Sequence, residues 1–253
     1  MSEPVKLQRE AVAGRFAKAR DANAGLLLQR GWPSAASGEG EGSKAAHLRR
    51  VAGIRPVPAY ARAFARWKAA TGDGQRFYQC ESRLQSRMLI GLAGGAALET
   101  GCTVSHTWGM PMIPGSSLKG LARAHAEQLM GDGHPLVQEM FGAREGEALS
   151  GVVAFHDAWW VPPASDRAPP FISDVMTVHH QDYYTSQGNC PASDKDSPVP
   201  VPLIAVQGEF LFVIEGPQNW ATLAGNWLMA ALAEHGAGAK SAVGYGAFIP
   251  REP

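Results

Sequence analysis

The chain has 253 residues, of which 45% are hydrophobic and 18% charged, with a formal net charge of zero; that is long enough for one large domain, or a medium domain with an extension, around a real core. The zero hides an asymmetry, because residues 1–76 carry 14 Lys or Arg against 6 Asp or Glu, whereas residues 77–253 carry 9 against 17. No window is apolar enough to span a bilayer and no charged-then-apolar leader opens the chain, which excludes membrane classes and predicts a cytoplasmic protein. Cys80, Cys102 and Cys190 are isolated and odd in number, which fits a reducing compartment and argues against a disulfide framework or a zinc knuckle.

The basic first third reads as helix, linker, helix. Val5 to Arg30 is rich in Ala, Leu, Arg, Lys and Gln, all good helix formers, though Gly14 and Gly25 weaken it. Gly31 to Ser43 follows, with Pro33 and a Gly-Glu-Gly-Glu-Gly-Ser run too polar to pack, a mobile linker by composition. Tyr60 to Ala70 then places Tyr60, Ala63, Phe64 and Trp67 at helical spacing, with Arg62, Arg66 and Lys68 off that stripe. We read residues 1–76 as a basic helical extension, suited to a polyanion or to an acidic protein neighbour, or simply to water.

Residues 77–253 are predicted to form a second unit of alternating strands and helices. Leu84 to Leu92 alternates and stops at glycines, so it is the predicted first strand. A helix follows from Ser116, with Leu118, Leu121, Ala122, His125 and Leu129 on one stripe and Gly131 at its end, then a short helix Pro135 to Phe141 closed by Gly142. Gly151 to Val161 is the second strand and Val201 to Glu215 the third, with Gly208 as a bulge or turn. Trp220, Leu223, Ala224, Trp227, Leu228, Ala231 and Leu232 mark a last helix, capped by Asn219 and followed by Gly236. A final strand, Val243 to Ile249, completes a strand-helix-strand-strand-helix-strand order. The predicted fold class is therefore α+β, ferredoxin-like (RRM-like), with a four-stranded antiparallel sheet and two helices on one face. The open face of such a sheet is a frequent RNA platform, although fold alone does not assign it.

Three stretches carry chemistry. In Ile113-Pro114-Gly115-Ser116-Ser117-Leu118-Lys119-Gly120-Leu121-Ala122-Arg123 a loop runs into a helix; either serine is a cap candidate, and free amides, Lys119 and Arg123 at i,i+4 make an anion site suited to a phosphate backbone. On this stretch alone, an ordinary capped helix with two solvated cations is the favoured reading. Gly236 to Gly246, with Lys240, resembles a phosphate loop but has Ala239 before the lysine and runs from helix to strand, so it is not a nucleotide-triphosphate loop; backbone-phosphate contact and a plain flexible loop both fit. Gly91, Gly94 and Gly95 lack dinucleotide-fingerprint spacing. In Asp174 to Tyr184, two histidines, two carboxylates and two tyrosines suit metal binding, proton transfer or base stacking. Its proline-rich flanks favour a binding loop, and no nucleophile stands beside a base.

Taken together these segments resemble the RAMP superfamily of CRISPR proteins: Ser86-Arg87 before Gly91, the Ile113 to Arg123 segment, Phe141-Gly142 before a strand ending in Asp157, and Gly238 to Gly246. Asp174-Val175-Met176, His179 and Tyr183-Tyr184 narrow the resemblance to the family of sixth subunits of the type III-B (Cmr) effector, over Phe77 to Phe248. The resemblance implies a ferredoxin-like domain near the end of a filament, holding the 3′ region of CRISPR RNA (crRNA) and target RNA beside other Cmr-complex RAMP subunits. It implies RNA contacts at Ser116, Ser117, Lys119, Gly120 and Arg123, at Gly238, Lys240, Gly244 and Gly246, and at His179 and Tyr183. It implies no catalytic residue, since cleavage in that family belongs to the repeated backbone subunit, and the sequence assigns no metal ligand and no cofactor. The alternatives are a metal-independent crRNA-processing endoribonuclease using His179 or His180, and an adaptor without RNA contact.

Overall fold

The structure is a computed structural model that describes residues 22–32, 43–92, 100–143, 150–163 and 169–249. The first part of the predicted leading helix, residues 5–21, and most of the predicted linker, residues 33–42, lie outside these, as do Gly94 and Gly95.

The sheet is built around β7 (Glu209–Glu215), whose five central residues are all buried. Such a run needs cover on both faces, and it has it. Phe210, Phe212 and Ile214 enter the main core with Leu118 and Ala122 of α4 (Gly115–Met130) and Ala224, Leu228 and Leu232 of α7 (Gln218–Glu234). Leu211 and Val213 face Phe64 and Trp67 of α3 (Pro58–Ala70). Burial of a side chain of this size contributes about 1.5–3 kcal/mol. The face predicted to be open is therefore covered by α3 at the centre of the sheet.

β7 pairs antiparallel along its length with β1 (Phe77–Arg83) and, on the other side, with β3 (Ala154–Phe155) and β4 (Ala158–Trp160). β4 in turn pairs with β2 (Met112–Ile113). Several predicted strands are corrected. The first strand lies upstream of Leu84 to Leu92; that segment makes only isolated bridges, Leu84 to Phe248, Met88 to Val206 and Leu89 to Ala239. Leu84, Met88, Leu89 and Ile90 are buried while Gln85, Ser86 and Arg87 between them are exposed, so burial follows the turn of the chain and not a period of two. Gly151 to Val161 is broken at His156-Asp157. Val201 to Glu215 is two strands, because Gly208 at φ +107° redirects the chain; a side chain there would meet Trp160 Nε1 at 2.6 Å. Its first part, β6 (Val199–Val206), joins β5 (Phe171–Val178) in a separate two-stranded sheet. The predicted last strand is instead a 3-10 turn, Ser241–Val243, and the bridge at Phe248.

The helices are closer to expectation. α5 (Pro135–Phe141) has the predicted bounds, and α3 begins two residues early, at Pro58. Neither α4 nor α7 has a side-chain cap: Pro114 and Pro217 stand at the cap positions, and Ser116, Ser117 and Asn219 lie inside their helices. Leu129, placed on the buried stripe, is exposed, and Ala126 is buried in its place. α1 (Ala24–Arg30) and α2 (Lys44–Ala52) occupy the basic third, α2 being unforeseen although Ser43 Oγ accepts from the Ala46 amide at 3.2 Å. Leu27, Leu28, Leu48, Val51 and Tyr60 belong to the same core as β7, so the described part of the extension packs with the rest of the molecule.

Candidate nucleic-acid interface

The loop entering α4 is held from the sheet. The Gly115 amide donates to Asp157 Oδ1 at 2.8 Å, and a Cβ on Gly115 would stand 2.1 Å from the Phe155 carbonyl oxygen. Only glycine allows the helix start to come this close to the β3–β4 corner. Asp157 thus takes one of the amides of the helix end and places a carboxylate at its positive pole. Beyond this contact the first turns open outward. Ser116 and Lys119 border a pocket of about 480 Å³ whose other walls are Phe141–Ala143, Ser150, Gly151 and Val153–Phe155. Gly120 is exposed with nothing within 4 Å of a Cβ.

Arg123 does not share that opening. Its Nε donates to Glu127 Oε1 at 2.9 Å and its Nη1 to the Gly142 carbonyl at 3.0 Å, and its side chain is only 15% exposed. The i,i+4 relation to Lys119 is real, but Arg123 continues it to Glu127, which neutralises it and ties α4 to the end of α5. Its geometry is that of a structural ion pair.

Ser117 turns to a larger cavity of about 770 Å³. Its walls join two motifs far apart in sequence, Ser117, Leu118 and Leu121 of α4 and Gly236–Ala239 of the glycine-rich loop, with Ile90 and Leu92 between them. Gly236, Gly238 and Gly246 serve close packing, whereas a Cβ on Gly244 would meet nothing within 4 Å. Gly236, Gly238, Gly244 and Gly246 all have positive φ; a Cβ on Gly246 would lie 1.9 Å from the Ala237 oxygen and one on Gly238 2.3 Å from the Leu89 oxygen. Several loop amides are already used: Ala237 donates to Gly246 O (2.9 Å), Ala239 to Leu89 O (2.7 Å) and Gly246 to Arg87 O (2.8 Å). Lys240, left-handed at φ +62°, is exposed at the loop tip.

The Asp174 to Tyr184 segment is a strand followed by a short helix, where an irregular insertion was expected. Asp174 on β5 accepts from Arg87 (2.9 Å) and from Tyr245 Oη (3.1 Å), tying the β5–β6 sheet to the glycine-rich loop. Burial pushes its carboxyl up, but the hydrogen bonds from Arg87, the Val175 amide and Tyr245 outweigh this and hold it below the usual range. His179 and Tyr183 are both exposed. Tyr183 packs edge-on against Tyr184 of α6 (Gln181–Thr185) with ring centroids 5.5 Å apart, and His180 Nδ1 lies 2.9 Å from Asp196 Oδ2. Asp157 and Arg87 are the residues whose roles sequence reasoning missed. Asp157 acts across 42 residues, and nothing local marks it beyond its place after a strand.

A family model described as the RAMP superfamily matches residues 83–249. The chain belongs to the RAMP superfamily. Among its relatives, this RAMP protein is 24% identical over 226 residues to a CRISPR system Cmr subunit Cmr6 of Pyrococcus furiosus, covering 66% of each chain. It is 30% identical over 103 residues to a CRISPR system CMR subunit Cmr6 of Saccharolobus solfataricus, covering 40% of this chain and 34% of that one. The chain thus spans no more than about two thirds of the length of either. A chain in the cryo-EM structure of the type III-B Cmr-beta bound to cognate target RNA shares its fold, with a TM-score of 0.66 at 22% identity, covering 83% of this chain and 71% of that one. Among the described residues no helix is long and apolar enough to cross a membrane.

Proposed function

We propose that this RAMP protein is a non-catalytic subunit of a type III-B CRISPR effector, which holds the 3′ region of crRNA and its target RNA beside other Cmr RAMP subunits. The names of its relatives supply the class. The observation that carries RNA contact is the start of α4, where Ser116 and Lys119 border an open pocket, with Gly120 exposed beside them and Lys119 in no ion pair among the described residues. A lysine beside a helix end suits a phosphate and reads no base. Lys240 is an exposed cation at the tip of the glycine-rich loop, and Tyr183 and His179 offer exposed rings for unpaired bases. Ser117 and Gly238 both line the larger cavity, which favours a continuous track between the two motifs. Gly244, Gly246 and Arg123 serve as supports. The sheet order β1-β7-β4-β2, with the Phe248 bridge beside the end of β1, supports a ferredoxin-like arrangement with one edge reduced to a bridge.

The test is binding of labelled crRNA in EDTA across a salt titration. Affinity should fall steeply with salt, and Lys119→Ala and Lys240→Ala should each weaken binding to unrelated sequences and flatten the slope by about one unit. Unchanged affinity in both would remove the site. The endoribonuclease reading has one observation behind it, the His180–Asp196 pair. It would replace ours if RNA were cut and the cutting were lost in His179→Ala or His180→Ala.

A further inference from the structure

At the rim of the larger cavity, α4 and α7 meet at a cluster with unused ligand atoms. His125 on α4 is 5% exposed, and its Nδ1 is buried without a hydrogen-bond partner. A buried imidazole nitrogen left unpaired is unfavourable and asks for something to meet it. The atom nearest in charge is Glu234 Oε2 at the end of α7, 3.6 Å away, too far for a hydrogen bond. His235 follows, its Nε2 3.8 Å from the same oxygen and 3.1 Å from Gln128 Oε1. The three ligand atoms of His125, Glu234 and His235 lie within 4.8 Å of one another.

We propose that His125, Glu234 and His235 form a divalent transition-metal site, most suited to zinc, that pins the C-terminal end of α7 to α4. Two neutral imidazoles and one carboxylate are a zinc donor set, and bonds of about 2.0–2.1 Å at tetrahedral angles put ligand atoms about 3.3 Å apart. The two spacings to Glu234, 3.6 and 3.8 Å, need only a small contraction to reach that, and the two histidines, within 4.8 Å of one another, must draw together as the ion binds. His235 is the residue at the C-terminal cap of α7, where the helix dipole favours a cation. It also lines the 770 Å³ cavity, from which water can fill a fourth position. Gln128 holds the His235 ring when no ion is present. Nothing in this depends on RNA binding.

The experiment uses the full chain, stripped with a chelator and titrated calorimetrically with zinc chloride at neutral pH. One equivalent should bind and raise the melting temperature, and cobalt should give the intense visible bands of a tetrahedral site. Losing a group that only orients a ligand weakens metal affinity by about 10–100-fold, so removal of a ligand should cost at least about tenfold. Glu234 and His235 are exposed at 61% and 41%, so Glu234→Gln and His235→Ala should fold and lose the metal. His180→Ala, which removes the histidine paired with Asp196, should leave it bound. The proposal is overturned if zinc does not bind the stripped chain, or if binding survives Glu234→Gln and His235→Ala or is lost in His180→Ala.

Discussion

Gly115 and Arg123 show how little room the α4 entrance has for change. Gly115→Ala would place a methyl group 2.1 Å from the Phe155 oxygen, so backbone must move; we expect a loss of about 1–3 kcal/mol in urea unfolding, and weaker RNA binding with it. Arg123→Ala removes the bonds to Glu127 and to the Gly142 carbonyl. Its expected effect is a stability loss of about 1–3 kcal/mol, with the salt dependence of RNA binding unchanged. A flattened salt slope in that variant would return Arg123 to the RNA side. Glu127 stands at i+4 in the sequence, so this pairing was legible; the carbonyl of Gly142, 19 residues away, was not.

At the level of elements, the β5–β6 sheet and the glycine-rich loop are fastened through Asp174. Asp174→Asn gives up the ion pair with Arg87, and faster amide exchange in β5, β6 and residues 236–246, with global unfolding little changed, is the expected result. Because Arg87 and Tyr245 hold the carboxyl below its ordinary value, the tie should be intact at pH 5 and above and fail only as acid protonates Asp174. Helices were the legible elements: α3, α5 and α7 each repeat an apolar residue every three or four positions between breakers, a property of a short window. Strands were less so. Leu84 to Ile90 alternates in sequence, but its exposed residues, Gln85 to Arg87, are consecutive, and Val201 to Glu215 reads as one run although Gly208 sends its halves to different sheets.

For the molecule as a whole, the basic third is joined to the acidic remainder by a shared core. His47 on α2 is buried between α1 and α2, with neither ring nitrogen in hydrogen-bond geometry. Burial first, then the charge of Arg50, lower its pKa to about 4 from 6.5, against a weak opposing pull from the Leu27 and Leu28 backbone. The folded state therefore disfavours the proton, so this contribution is complete above about pH 6.5 and declines as pH falls toward 4. The expected loss is about 2 kcal/mol between pH 7 and pH 5. Urea midpoints at the two values should show it, and His47→Leu should remove that part of the pH dependence.

The amino-acid sequence alone determined helices α3, α4, α5 and α7 with their breakers, the charge asymmetry and the RAMP-like segments at Ile113 to Arg123 and Asp174 to Tyr184, because each is written in residues close together along the chain. Tertiary structure alone decided that α3 covers the sheet, that Asp157 takes the Gly115 amide, that Arg123 also reaches the Gly142 carbonyl, and that His125 comes to face Glu234 and His235. Those contacts depend on which surfaces the whole core brings together, and no local periodicity encodes a partner a hundred residues away.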